Sequence, residues 1–558
     1  MTSKVVNRRI RLLFVLLALA LAGSLARAVW LQGVRAQPLS NLAAKQQRQT
    51  IELPARRGTI FDRNGVPLAL GEQATTVYAD PTQVRNARLV ALAAEKALGL
   101  DAESIFPQLK DTSRAFVYLQ RKADSVKAER LRARELPGVG FYTEERRRYP
   151  QGAVGAQVLG FAGQDNQGLA GIELQLNDVL RGRPGRETVI RDPFGRVVDV
   201  LSETAERQGR DVFLTLDHRI QARAEDVLRR TARQWGAKSA TAVVLDPSSG
   251  EIYAMATAPT FDANRFAEAT PDAQRNRTAS DTYEPGSTFK LIPVAGALAE
   301  GLVTPHSAFT LPTSIHVADR VIHEHDPRPT VRMTVADIVA QSSNVGAITL
   351  AQQLGSERLA SWVDRFGFGS KTGLDFPGET AGIVPPLDTW SGSTIGTLPI
   401  GHGIAVTPVQ MAAAYAAVAN DGVWLQPHLV EHVAGRGAVR VERRRLLTPA
   451  VASQLATMLT GVVAEGGTGL AAAVPGYHVA GKTGTAAKPL PDGSGYSTSR
   501  YVASFVGFVP ATRPRLVILV TVDEPTTIWG GVVAAPAFQE LAKFALQYLE
   551  VPPDNPEN

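Results

Sequence analysis

The chain of 558 residues contains no cysteine. This removes disulfide frameworks, cysteine-ligated zinc, iron–sulfur clusters and any cysteine nucleophile. Glycine (49) and proline (35) follow no period, which excludes collagen-like, solenoid and low-complexity chains. No paired-carboxylate site stands out in the first half. What remains is ordinary globular composition, 44% hydrophobic and 20% charged, enough for two to four domains with large cores.

The net charge of +6 suggests a nucleic-acid partner until its distribution is considered. Residues 1–60 hold ten Lys and Arg against the single acid Glu52, a net of +9, so the rest of the chain carries −3. The excess lies beside an apolar run, which favours a membrane over a DNA-binding face. Leu12 to Leu31 is apolar except for Arg27, and its twenty residues suffice to span a bilayer as a helix. Lys4, Arg8, Arg9 and Arg11 would keep the N-terminus in the cytoplasm, and Arg27 would snorkel beside Trp30. A cleaved signal peptide competes, because Ala26-Arg27-Ala28 has the small-x-small pattern. In either case the bulk of the chain is exported.

Residues 32–50 read as a polar linker, and Ile51–Leu70 as a hairpin turning at Asn64-Gly65. The pattern predicts helix over 86–136, a Gly-rich stretch to about Glu173, and a polar, turn-rich segment over Val189–Asp211. Val212–Leu216 is a predicted strand and Ile220–Trp235 a helix. A further domain opens near Ser239 with strands at Ala242–Asp246 and Ile252–Ala256. Strands at Val479–Thr485, Tyr501–Val509 and Leu516–Val522 and a helix at Phe538–Leu549 follow some 200 mostly helical residues later. The expected architecture is an antiparallel sheet built from both ends of the domain around a helical insertion.

Three segments carry chemistry. Ser287-Thr-Phe-Lys290 sits at a predicted helix entry, where positions i and i+3 share a face. The helix dipole would favour an anionic serine oxygen, and a desolvated lysine could take its proton. Ser342-Ser343-Asn344 follows the helical segment Val335–Ala340 and offers a hydroxyl and an amide. Lys482-Thr483-Gly484-Thr485 is the third. Each alone is weak, and in isolation a solvated helix start or a polar loop is the commoner explanation. Gly476 to Thr483 also fits the G-x-x-x-x-G-K-[ST] phosphate loop. That motif must open into a helix, whereas Pro489, Pro491, Gly493 and Gly495 follow. An edge strand fits better: a cation, two hydroxyls and a glycine that lets an extended peptide approach. The N–H groups of Ser287 and Thr485 could form an oxyanion hole.

S-x-x-K, S-x-N and K-T-G in this order and these contexts form a strong signal. The chain resembles the class B penicillin-binding proteins, most closely the division-specific peptidoglycan D,D-transpeptidases. Arg57-Gly-Thr-Ile-Phe-Asp-Arg-Asn-Gly65, Arg147-Arg-Tyr-Pro150 and Gly168-Leu-Ala-Gly-Ile-Glu173 resemble motifs of their non-catalytic pedestal. The resemblance implies an α+β fold: one N-terminal transmembrane helix, an elongated β-rich pedestal, and a transpeptidase domain with a five-stranded antiparallel sheet flanked by helices. It divides the chain into a cytoplasmic tail (1–11), anchor (12–31), stalk (32–52), pedestal (53–215), transpeptidase domain (216–551) and polar tail (552–558). It implies that Ser287 is the nucleophile, Lys290 its base, Ser342 a proton relay and Asn344 a holder of Lys290 and the donor peptide. Lys482, Thr483, Gly484 and Thr485 would bind the substrate carboxylate. No cofactor or metal is implied. The implied partners are peptidoglycan stem peptides, β-lactams and divisome membrane proteins including a polytopic glycosyltransferase, at the bacterial inner membrane with the catalytic domain in the periplasm.

The resemblance departs at Gly401-His402-Gly403, where relatives often carry an aromatic. An elongation-specific transpeptidase, a β-lactam sensor without turnover, and a carboxypeptidase or β-lactamase are the competing functions. His323-Glu-His325-Asp326 has metal-like letters but reads as a structural or solvated loop, and Arg146–Arg148 as a salt-bridged face.

Overall fold

The computed structural model describes residues 3–37, 48–191, 197–490, 492 and 495–555. They form two compact units, one of residues 1–56 and 182–209, the other of 57–181 and 210–558.

In the first unit, Ser3–Val29 is one helix that closes in a π-helical turn at Trp30–Val34. Val6–Val34 is long and apolar enough to cross a membrane, and its side chains are exposed. Arg27 and Arg35 lie over the Trp30 ring at 5.0 and 4.6 Å, an arrangement suited to an interfacial belt. Arg48–Leu53, Gly185–Arg191 and Val197–Thr204 form an antiparallel sheet in that order. The last two correct the turn-rich expectation for this stretch. Their charged and hydroxyl residues, with Val198, Val200 and Leu201 left exposed, mask the strand pattern.

The second unit contains two sheets that matter here. In one, Ile60–Phe61 pairs with Pro67–Ala79, which also pairs with Val117–Ala123 and Val139–Arg148. The hairpin is real but starts at Ile60, since Ile51 belongs to the other sheet. Only Gly65 adopts positive φ; the Asp62 carboxylate holds the turn by accepting the N–H groups of Asn64 and Val66. The predicted helix over 86–136 is three helices, Ala87–Leu98, Ala102–Lys110 and Ser125–Arg132, interrupted by the strand Val117–Ala123. That strand reads VYLQRKA, long polar side chains that suit a helix equally well.

Three motifs far apart in sequence meet under this sheet. Arg57 Nε donates to Glu173 Oε2 at 2.6 Å, and Arg147 Nε to Glu173 Oε1 at 2.6 Å. Arg57 also reaches Asn177 Oδ1 and the Glu173 carbonyl, and Arg147 reaches the Gly58 carbonyl. All three charged side chains are buried, so the two guanidiniums depend on one carboxylate. Arg146 and Arg148 pair with Glu72 on the outside, as a salt-bridged face.

The other sheet is five-stranded and wholly antiparallel: Ile252–Ala258, Ser239–Leu245, Leu516–Asp523, Tyr496–Val509 and Ala480–Pro489. Its inner strands are apolar on both sides because both faces are covered. Val243, Leu245, Val517 and Leu519 face the helical insertion, including Leu291–Ala299 and Pro408–Ala419. Ala242, Val244, Ile518 and Val520 face the helices His218–Gln234 and Gly530–Tyr548. The fold is α+β, with the K-T-G strand at the sheet edge.

Replacing Glu173 by Ala leaves two buried cations unpaired and is expected to cost about 3–5 kcal/mol of stability. The exposed Glu129→Ala change should cost less than about 0.5 kcal/mol. Urea unfolding of both variants measures the difference.

Candidate active site

The chain enters the site through Pro285-Gly286. Ser287 and Lys290 lie in one 3-10 turn, Gly286–Lys290, before the α-helix Leu291–Ala299 begins. The motif was expected in an α-helix; the 3-10 turn brings i and i+3 into closer register. Thr288 Oγ1 donates back to the Pro285 carbonyl, and Tyr415 OH donates to the Thr288 carbonyl at 2.9 Å. These bonds fix the turn from both sides. Ser287 lines the site cavity, while Lys290 is 2% exposed.

Lys290 Nζ donates to the Ser342 carbonyl at 2.5 Å and to Asn344 Oδ1 at 2.6 Å, with Ser342 Oγ at 3.2 Å. The Lys290 amine engages the S-x-N turn rather than Ser287 Oγ. Two strong acceptors match the two N–H bonds of a neutral amine and leave its lone pair for a hydroxyl proton. Burial lowers the Lys290 pKa to about 7 against a smaller opposing pull from Glu324. Lys482, 1% exposed, is also pushed well down, by burial and by the charge of Lys290. Its contacts are the Thr483 carbonyl at 3.3 Å and Thr483 Oγ1 at 3.4 Å.

The K-T-G edge packs directly on the Gly286–Lys290 turn. A Cβ on Gly484 would sit 2.2 Å from Ser504 Oγ and 3.0 Å from the Pro285 carbonyl oxygen, so glycine favours this approach. Thr483 Oγ1 bonds Thr468 Oγ1 at 2.7 Å, and the Gly530 N–H donates to Thr485 Oγ1 at 3.3 Å. Ser287, Ser342, Thr483 and Thr485 thus share one cavity of about 520 Å³. Lys290, Asn344 and Lys482 support its walls from behind. The strand Ala480–Pro489 runs on with no helix after Thr483, so a phosphate loop is excluded.

Several site groups escaped the sequence reading. His325 and Asp326 line the cavity, and His325 packs on Trp529 at 4.3 Å. The loop read as structural or solvated is a wall of the site, a placement that no local pattern signals because Trp529 is 204 positions away. Glu284 ties the segment before the Ser287 turn to two neighbours. It accepts the Gly403 N–H at 3.0 Å and Tyr496 OH at 3.0 Å, and lies 2.9 Å from His402 Nδ1. His402 stands edge-on to Tyr496 at 5.1 Å.

Known proteins match this chain along nearly its whole length. The penicillin-binding protein transpeptidase domain matches residues 240–543, and the penicillin-binding protein dimerisation domain residues 52–214. The chain belongs to the class B penicillin-binding proteins. It is 34% identical to the probable peptidoglycan D,D-transpeptidase PenA of Neisseria meningitidis serogroup A, over 98% of this chain and 94% of that one. It is 32% identical to the peptidoglycan D,D-transpeptidase FtsI of Escherichia coli K12, over 98% and 93%. The crystal structure of penicillin-binding protein 3 from Mycobacterium tuberculosis complexed with aztreonam aligns with a TM-score of 0.72 at 30% identity, covering 91% of this chain and 99% of that one. This class B protein is accordingly a serine-type transpeptidase enzyme.

Gly401 and Gly403 both have positive φ, but a Cβ on Gly401 would sit 2.2 Å from the Gly286 carbonyl oxygen and one on Gly403 would meet nothing. Gly401→Ala is expected to displace the Ser287 turn and slow acylation by a penicillin about a hundredfold. Gly403→Ala carries only the backbone strain, so its rate should stay within about threefold of the parent. Stopped-flow acylation rates of the two variants decide this.

Proposed function

We propose that this enzyme forms peptide cross-links in the cell wall at the division septum, with Ser287 as nucleophile and Lys290 as its base. The observation that carries the reading is the buried, hydrogen-bonded Lys290 amine three residues from a serine on the cavity wall. Residues 53–215 then act as the pedestal and 216–551 as the transpeptidase domain, a division supported by the matched spans. The apolar helix anchors the chain in the inner membrane with its basic N-terminus in the cytoplasm and its catalytic domain in the periplasm.

Ser287 Oγ attacks the carbonyl carbon between the last two D-alanines of a stem peptide, and its proton passes to the Lys290 lone pair. The oxyanion falls to the N–H groups of Ser287 and Thr485. As the C–N bond breaks, Ser342 Oγ relays the proton from Lys290 to the leaving D-alanine amine. The acyl-enzyme is then attacked by an amine of a neighbouring stem peptide. That amine gives a proton to Lys290, which passes it to Ser287 Oγ as the bond between Ser287 and the acyl carbon breaks. Asn344 holds Lys290 and the donor peptide. Lys482, Thr483 and Thr485 bind the terminal carboxylate, and Gly484 leaves room for the peptide backbone. A carboxylate beside Lys482 restores the charge that burial removes. A β-lactam presents a similar carboxylate and acyl carbon, so it acylates the same serine.

The septal role is supported by the likeness to FtsI over nearly the full length. Divisome membrane proteins, including a polytopic glycosyltransferase, are the partners this role requires.

Intact-mass spectrometry after incubation with a penicillin should show one stable adduct on the parent, located on the Ser287 peptide, and none on Ser287→Ala. An unmodified parent would refute the assignment. For the septal role, depletion in the native host should produce filaments, whereas rounded cells would indicate an elongation enzyme.

A further inference from the structure

The loop between the strands Arg320–His323 and Val331–Thr334 does more than line the cavity. Glu324, its side chain only 4% exposed, points into the S-x-N turn. Its Oε2 accepts the Asn344 N–H at 2.8 Å, and its Oε1 accepts the Ser343 hydroxyl at 2.5 Å. Ser343 Oγ in turn accepts the Gly346 N–H at 2.9 Å and caps the helix Asn344–Leu354. Next door, the His323 carbonyl accepts Asn344 Nδ2 at 3.1 Å. A carbonyl only accepts, so the amide nitrogen must face His323 and the amide oxygen is turned to Lys290. Between these anchors Ser342 holds φ at +60°, a conformation unfavourable for a residue with a Cβ. The bonds to Glu324 and His323 hold it there.

We propose that Glu324 is a positioning residue that fixes the Ser342-Ser343-Asn344 turn against Lys290 and, through its charge, sets the pH range in which Lys290 acts as base. The inference rests on the assignment of Ser287 and Lys290 above and extends it to a residue outside the three motifs.

The groups that face Lys290 are few. Lys482 approaches from the K-T-G strand and Tyr415 from the helix Pro408–Ala419, and both line the small space around the amine. Glu324 is the carboxylate whose field reaches Lys290, and it favours the ammonium form. Arg328 Nη2, 2.5 Å from Glu324 Oε1, offsets part of that field. The two charges therefore act on Lys290 with opposite sign. Removing the carboxylate makes the ammonium harder to hold, so the lysine becomes a free base at lower pH. Removing the guanidinium leaves the carboxylate unopposed and moves the same transition upward.

The test is the rate of acylation by a fluorescent penicillin across about pH 5 to 9, for the full chain in detergent. The parent rate should rise with pH through a midpoint near 7, where Lys290 loses its proton. Glu324→Gln keeps the shape and one acceptor. It is expected to move that midpoint down by about half a pH unit and lower the plateau about three- to tenfold. Arg328→Gln is expected to move it up by a similar amount. A merely structural role would lower the plateau and leave the midpoint in place. Midpoints that stay with the parent, or that shift the same way in both variants, overturn the proposal. If Glu324→Gln does not fold by thermal unfolding, the sign of the Arg328→Gln shift decides alone. Ser287→Ala should show no acylation at any pH. A parent without acylation would remove the Ser287 assignment and this inference together, whereas an acylated parent with unmoved midpoints in the variants removes only this one.

Discussion

Two lysine side chains end in the same dry space, and both cannot keep their charge there. Lys290 and Lys482 line one small cavity behind the site, each almost wholly buried. Desolvation pushes both toward the neutral amine, and the charge of Lys290 pushes Lys482 further. The rest of the site follows from this constraint. The acceptors around Lys290 are a carbonyl and an amide oxygen rather than a carboxylate, so the amine is held without being locked as an ammonium. The carboxylate that does act on it stands one residue further back, tied to Asn344 N–H.

The fold supplies the dryness. The five-stranded sheet is covered on both faces, and its edge strand is pressed against the Ser287 turn, with glycine at Gly286 and Gly484 where the two backbones come close. Tyr415 and Thr288 brace the turn from within the helical insertion, and Glu284 ties it to Gly403 and Tyr496. These are local bonds with remote partners, so the position of Ser287 reflects three parts of the domain at once. The same principle recurs away from the site. Glu173 gathers Arg57 and Arg147 from motifs about a hundred residues apart in the case of Arg57, and the sheet around them is organised by that one buried carboxylate.

How much of this was legible depends on what each residue leans on. The strands Ser239–Leu245, Ile252–Ala258 and Leu516–Asp523 are buried on both sides, so their apolar runs stand out. The three site motifs were legible because their chemistry is carried by a few adjacent letters. Val117–Ala123 was hidden by long polar side chains, and Gly185–Arg191 and Val197–Thr204 by exposure on a sheet with little core. The hairpin and its turn at Asn64-Gly65 were visible, but not the Asp62 side chain that holds the turn. Glu324 and His325 were set aside as a loop because their partners, Asn344 and Trp529, are separated from them in sequence. Local pattern reveals residues that act through neighbours; it is silent on those that act across the fold.

To act as the base, Lys290 must be a neutral amine near physiological pH. Its direct test is an NMR titration of the protein labelled at lysine Cε and Nζ, with the Lys290 signal assigned from Lys290→Arg. The account expects a midpoint near 7 for Lys290. A midpoint near the ordinary lysine value of about 10.4 would mean that the amine keeps its proton in the site, and would contradict the account.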